Sequence, residues 1–216
     1  MIIYNPEDIM EERIEECNLI LSSLPHKYCF ITGSFLYKKN YKDIDIFVIT
    51  RSKKYITPKD KRINIIQIDF NDLYSLFYHS ASKCCISKNI LPKRPIKATI
   101  ADYWSVINEA IPTILNQKNK FHKDIRFLIL YTEYFKNNRV LSTHELRERI
   151  AQFKNHKAIL SYINTEIPKA IKNKVHWPYI KRYFYTQAAY YKNTLSYTSQ
   201  EILYNLTHTI IREAKT

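Results

Sequence analysis

Two aspartates that are two residues apart, Asp43 and Asp45, begin an otherwise apolar run that ends at Ile49. The β-branched and aromatic residues of this run predict a strand. Because alternate side chains of a strand share a face, both carboxylates should lie on the same side. Two carboxylates on an apolar strand need a positive partner, and Mg²⁺ suits them because it binds a few carboxylates together with substrate phosphates. The pair therefore predicts a metal site.

The single glycine of the chain, Gly33, lies between a predicted strand, Tyr28 to Thr32, and Ser34. A glycine directly after a strand indicates a turn with a positive φ angle or a close approach of the backbone to another group. Eight residues then separate Ser34 from Asp43. The turn and the acidic strand are therefore close enough along the chain to be joined by a short helix.

The order of these features, from a strand through Gly-Ser to Asp-hydrophobic-Asp on a second strand, resembles the signature of the polymerase-β-type nucleotidyltransferase superfamily between Phe30 and Asp69. The resemblance implies transfer of a nucleoside monophosphate from a nucleoside triphosphate, such as ATP, to an acceptor, with release of pyrophosphate. It also implies two Mg²⁺ ions, which Mn²⁺ could replace, held by Asp43 and Asp45. Gly33 and Ser34 would then contact the β- and γ-phosphates of the nucleotide.

The resemblance implies, in addition, a third carboxylate on the strand beside the Asp-x-Asp strand. That strand is predicted at Ile63 to Phe70, and Asp69 is its only acidic residue. Asp69 is therefore the predicted third metal ligand and general base. It comes at the very end of the predicted strand, however, and Asn64 or Gln67 could occupy the required register instead. With an amide at that register the site would lose one charge.

The triphosphate tail should also meet a cation from the helical half of the chain. The predicted nucleotide-binding set therefore joins Lys118 and Lys123 to Gly33 and Ser34. The full group of candidate cations is Lys118, Lys120, Lys123 and Arg126.

The formal net charge of +14 favours an anionic partner, most simply RNA, although AT-rich coding alone would also enrich lysine. The expected acceptor is RNA, such as tRNA, or a partner protein. Small enzymes of this kind with a helical second half resemble the nucleotidyltransferase components of toxin–antitoxin and abortive-infection systems. A basic loop at 51–62 is expected either to meet a triphosphate or an RNA backbone, or to be a solvated connector.

The hydrophobic patterns predict an α+β protein with two parts. Residues 1–97 should form a small mixed β-sheet with flanking helices, which the resemblance makes a nucleotidyltransferase core, and residues 98–216 an all-helical C-terminal bundle. One amphipathic helix is expected at 5–24, with Asn5 as its cap, and residues 82–97 should link the two parts.

Three further patterns are found in the helical half. Ser142–Glu145 and Thr198–Glu201 match capping boxes, which begin helices. The aromatic and basic residues of 181–185 either pack in a core or stack on nucleic-acid bases. No apolar run approaches the ~18 residues of a membrane span, and no secretory signal is evident, so a cytoplasmic protein without a membrane partner is expected.

Two other functions remain open at this stage. A protein with this fold that lacks the third carboxylate could bind nucleic acid or protein without catalysis. Arg139 and His144, with four residues between them, also resemble the Arg–His motif of helical HEPN ribonucleases. The four cysteines form no Cys-x-x-Cys pair and are expected to be buried, idle thiols.

Overall fold

The computed structural model describes residues 1–51, 56–58, 60–116, 122–172, 201–202, 204–206 and 208. The described residues form an α+β protein that divides into two compact units. The first unit comprises Met1–Ala98 together with Val140–Arg147, and the second comprises Thr99–Arg139 and Glu148–Thr216. The first unit's longer segment ends at Ala98, next to the boundary predicted after residue 97. Residues 140–147, which were predicted to be in the helical half, belong to the first unit.

The first unit contains a five-stranded mixed sheet with the order β1-β5-β2-β3-β4. Strands β3 and β4 are parallel, and the other neighbouring pairs are antiparallel. Single-turn 3-10 helices lie at Pro6–Asp8 and Asp72–Tyr74. The regular elements are β1 (Ile2–Tyr4), α1 (Glu12–Ser23), β2 (Cys29–Thr32), α2 (Ser34–Tyr37), β3 (Ile44–Ile49), β4 (Ile63–Ile68), α3 (Leu76–Lys83) and β5 (Cys85–Ser87).

Both faces of the sheet are covered by apolar side chains, as the alternation within β3 shows. Ile44, Ile46 and Val48 pack in a cluster with residues of α1 and α2. Phe47 and Ile49 point to the opposite face and pack in a second cluster with residues of β2, α3 and the 72–74 turn. Because successive side chains of a strand alternate in this way, the parity of each residue number fixes the face that it occupies.

The N-terminal helix is shorter than the pattern predicts. The 5–24 periodicity is interrupted because Asn5 has a positive φ of 53° and Ile9 is extended, so that the Pro6–Asp8 turn is separate from α1. Asn5 makes no side-chain capping bond. Cys17 and Leu21, on the predicted apolar stripe of α1, are fully buried.

The second unit is helical in its described residues. Its helices are α4 (Ile100–Asn116), α5 (His122–Asn137) and α7 (His156–Lys172), and α6 (Thr143–Ala151) begins in the first unit and ends in the second. Helix α4 continues through Pro112, although a proline inside a helix removes one backbone hydrogen bond. No helix within the described ranges is long and apolar enough to cross a membrane. The 181–185 cluster and most of the Thr198–Glu201 box lie outside the described residues.

The capping box at Ser142–Glu145 is confirmed. The Glu145 backbone N–H donates to Ser142 Oγ at 3.1 Å, and the Ser142 backbone N–H donates to Glu145 Oε2 at 2.6 Å. These reciprocal bonds satisfy backbone donors at the start of α6 and fix where that helix begins.

Candidate metal- and nucleotide-binding site

A row of three polar residues crosses the sheet on one face. Thr32 of β2 pairs with Asp45 of β3, and Asp45 pairs with Asn64 of β4. Phe30 and Phe47, two residues along their strands from Thr32 and Asp45, are buried on this same face. The row therefore marks the point at which an apolar sheet face becomes polar.

Gly33 directly follows the row and presses its backbone against Asp45. It has φ 91° and ψ −167°, a conformation that is essentially restricted to glycine. A Cβ atom at Gly33 would lie 3.0 Å from Asp45 Oδ2, closer than Cβ atoms ordinarily approach another atom. Both reasons for a glycine that the sequence suggested, a positive φ and a close approach, therefore hold at this position, and the group approached is the predicted metal ligand.

The carboxylate of Asp45 is held in place from the opposite side by Asn64. Asn64 Nδ2 donates a hydrogen bond to Asp45 Oδ1 at 2.9 Å. One oxygen thus faces the amide while the other faces the Gly33 turn. Asp43 lies directly before β3, and both aspartates are half-buried. The structure therefore places Gly33, Asp43 and Asp45 in one region.

Asp69, the predicted third ligand, lies away from this region. It lies one residue beyond β4, five residues from Asn64, or about 16 Å along a strand. The odd spacing would also direct its side chain to the other face of a continuing strand. Asp69 instead shapes a turn, because its Oδ1 accepts from the Asn71 backbone at 2.9 Å and its own N–H donates to Asp72 Oδ2 at 2.7 Å.

The residue opposite Asp45 on the neighbouring strand is Asn64, one of the two alternatives open from the sequence. The described residues contain no group of three or more His, Cys, Asp or Glu side chains that could hold a metal ion. Two carboxylates with a neutral amide nearby suit one Mg²⁺ that completes its coordination shell with phosphate and water oxygens. They offer less compensation for the charge of a second ion.

The predicted cations of the helical half are not part of the described first unit. Lys118 and Lys120 lie outside the described residues. Lys123 lies in the first turn of α5, and Arg126 is exposed on the same helix. These residues belong to the second unit.

The 140–147 segment contains site neighbours that the sequence analysis missed. Thr32 Oγ1 donates to the Cys84 carbonyl at 2.9 Å and lies 3.3 Å from Thr143 Oγ1, so Thr143 is the donor of that second bond. The ring of His144 contacts that of Tyr37 of α2 at a tilt of 59°, with ring centroids 4.5 Å apart, and its Nδ1 lies 3.4 Å from Asp8 Oδ1. The capping box revealed the start of the helix but contained no information about what the helix start contacts.

The four cysteines are buried free thiols, as predicted. Burial, with a smaller contribution from Glu16, raises the pKa of Cys17 to about 12, and burial, with smaller contributions from Asp8 and Glu145, raises that of Cys84 to about 11. A thiol that stays protonated at neutral pH is a poor nucleophile and metal ligand. These groups therefore contribute packing and not chemistry.

Comparison of the chain with protein-family models, curated proteins and solved structures finds no match. The geometry around Gly33, Asp45 and Asn64 is therefore the main indication of what the chain does.

Proposed function

We propose that the chain binds a nucleoside triphosphate with Mg²⁺ at Gly33, Asp43 and Asp45 and transfers its nucleoside monophosphate to an acceptor hydroxyl. The observation that supports this function best is the 3.0 Å approach of a Gly33 Cβ position to Asp45 Oδ2. A turn without a side chain, next to a half-buried carboxylate pair, leaves room for phosphate oxygens to reach a cation and the backbone together.

In the proposed reaction the acceptor oxygen forms a bond to the α-phosphorus, and the bond from that phosphorus to the bridging oxygen of pyrophosphate breaks. A bound Mg²⁺ would supply neutralisation of the charge on the phosphates. Asp43 and Asp45 would hold the ion, and Asn64 would keep the Asp45 carboxylate aimed by donating to its Oδ1. Because Asp69 lies elsewhere, the acceptor proton would pass to an oxygen of Asp43, of Asp45 or of the phosphates themselves.

We propose RNA, such as tRNA, as the first acceptor to test and a partner protein as the second. The support for RNA is the formal net charge of +14. A phosphodiester strand would gain favourable interactions with such a surface, and these interactions would weaken with added salt.

The direct test is incubation of the protein with α-labelled nucleoside triphosphates, Mg²⁺ and total RNA or cell lysate, followed by detection of labelled macromolecules. Asp43→Ala should reduce labelling at least about 100-fold, since the loss of a group that positions a metal costs several kcal/mol of transition-state stabilisation. Asp69→Asn is the matched control, since it removes a carboxylate of the same unit at the other end of β4. Equal labelling by wild type and Asp43→Ala would contradict the proposal.

A second function, nucleotide binding without transfer, is favoured by one observation. The residue paired with Asp45 is an asparagine whose amide donates to that carboxylate at 2.9 Å, where a third carboxylate would bring a charge and a base. Titration of ATP with Mg²⁺ into the protein, measured beside the labelling assay, separates the two functions. Binding that depends on Asp45 without any labelled product would identify the non-catalytic protein.

A further inference from the structure

The 140–147 segment is held against the rest of the first unit by a partly buried set of polar contacts. Lys83 Nζ, at the end of α3, donates to the Val140 carbonyl at 2.8 Å and to Glu145 Oε2 at 2.9 Å. Glu145 also caps α6 through the Ser142 backbone. Because the same carboxylate binds both Lys83 and the helix start, the position of α6 relative to α3 is fixed within this unit.

The 140–147 segment contacts residues in and next to the polar row of Thr32, Asp45 and Asn64. Thr143 contacts Thr32, the residue paired with Asp45, and the ring of His144 contacts that of Tyr37 at the end of α2. Tyr37 follows Ser34 by three residues, about 4.5 Å along the helix axis. The beginning of α6 is thus next to the chain that connects Gly33 to Asp43.

Arg147 is the cation that this segment adds to the region. Its guanidinium lies over the ring of Tyr37, 6.0 Å from the centroid. Within the described residues, Arg13 and Arg147 are the half-buried arginines. Arg13 pairs with Glu16 at 3.1 Å, whereas the described contacts of Arg147 include the Tyr37 ring and no carboxylate.

A half-buried guanidinium without an anion is poorly compensated, because it has lost part of its hydration and gained little Coulomb energy in return. A planar donor of this kind forms paired hydrogen bonds with phosphate oxygens. The carboxylate of Glu145, two residues before Arg147 on α6, is paired with Lys83 at 2.9 Å. Since the described contacts of Arg147 include no anion, an anionic ligand would supply the compensation for its charge.

We infer that Arg147 binds the phosphates beyond the α-phosphate of the nucleotide, so that the site distinguishes a triphosphate from a monophosphate. This inference rests on the proposed function, because it places the ligand at Gly33 and Asp45. It assigns the role of the phosphate-binding cation to a residue of the first unit. The candidates predicted from the sequence, between Lys118 and Arg126, belong to the second unit.

Calorimetric titration of ATP, AMP and inorganic tripolyphosphate, each with Mg²⁺, into the full chain tests the inference. Arg147→Ala should weaken ATP and tripolyphosphate binding about 10- to 100-fold, the effect of losing a charge-assisted pair of hydrogen bonds, and change AMP binding less than about twofold. Arg147→Lys, which keeps the charge but not the fork of donors, should bind ATP with intermediate affinity.

Lys27→Ala is the matched control. Lys27 is also a cation over a tyrosine ring, with Nζ 5.2 Å from the centroid of Tyr28, but it lies before the opposite end of β2. This variant should bind all three ligands as the wild type does. Circular dichroism melting of each variant checks that the fold is retained, and Arg147→Lys provides the comparison if Arg147→Ala does not fold.

The outcomes separate this inference from the proposed function. Wild-type protein that binds neither ATP nor tripolyphosphate would overturn both. Wild-type binding that Arg147→Ala leaves unchanged, or that it weakens equally for ATP and AMP, would overturn the role of Arg147 and leave the metal and nucleotide site at Asp45 standing.

Discussion

Replacement of Gly33 by alanine tests the geometry of the site without any assumption about substrate. The φ of 91° and ψ of −167° should make alanine costly by roughly 1–3 kcal/mol in backbone strain. The added Cβ would also lie 3.0 Å from Asp45 Oδ2. This second cost should be about 1 kcal/mol, the scale of coupling between residues in direct contact.

A double-mutant cycle with Asp45→Ala separates the two costs. Without the Asp45 carboxylate, the nearest remaining side-chain atom of that residue would be its Cβ, 3.8 Å from the new methyl group, which is an ordinary contact distance. Gly33→Ala should therefore destabilise the Asp45→Ala protein by about 1 kcal/mol less than it destabilises the wild type. Urea unfolding of the four proteins, followed by circular dichroism, gives these free energies.

The predicted contact between the Gly33 turn and the Asp45 carboxylate is refuted if Gly33→Ala lowers the free energy of unfolding equally in the wild type and in Asp45→Ala. That result would mean that the glycine is required by the backbone conformation alone and that the turn does not press on the carboxylate. A cost below about 0.5 kcal/mol in both backgrounds would refute the strained conformation as well.

Three further predictions concern other parts of the chain. Asn64→Asp places a carboxylate beside Asp45, so its melting temperature should fall below that of the wild type in EDTA and rise more on addition of Mg²⁺; an equal Mg²⁺ response in both proteins would argue against a metal at this row. Ser142→Ala should lower the free energy of unfolding by about 1 kcal/mol through loss of the cap, measured by urea titration with Ser142→Thr as the control that keeps the hydroxyl. Hydrogen bonds from Lys136 and then Lys169 lower the pKa of Glu166 below its ordinary value of 4.5. The stability from this pair is therefore complete above about pH 4.5 and lost as the pH falls through the lowered pKa. Glu166→Gln should flatten this acid limb by no more than about 1 kcal/mol, and an unchanged pH profile of unfolding would exclude the contribution.

The local parts of the fold could be predicted from the sequence because they depend on short-range chemistry. The strands at 29–32, 44–49 and 63–68 follow from apolar runs between turn signals, and the start of α6 follows from its capping box. The predicted start of the N-terminal helix was wrong for a local reason as well. The positive φ of Asn5 and the extended Ile9 interrupt the helix, although the apolar stripe in the sequence is continuous.

The composition of the site could be predicted only where its members are close in sequence. Gly33, Asp43 and Asp45 lie on or next to consecutive elements, so the order of a strand, Gly-Ser and Asp-x-Asp in the sequence was enough to identify them. The residue beside Asp45 depends on the register of two parallel strands, which is set by packing across the sheet, and this register selects Asn64 and not Asp69. The approach of Thr143 and Arg147 depends on contacts such as Lys83 with Glu145, across 62 residues of chain, which no local pattern encodes.

The insertion of residues 99–139 between the two pieces of the first unit has a consequence for folding on the ribosome. A chain that has emerged as far as Ala98 holds all five strands, yet Lys83 and Thr32 still lack Glu145 and Thr143. At about 5–20 residues per second, synthesis of the 49 residues from Thr99 to Arg147 takes roughly 2–10 s. During that interval the nascent sheet would be incomplete at the edge of its polar row, so a truncation at residue 98 should behave like this intermediate and not like an independent domain.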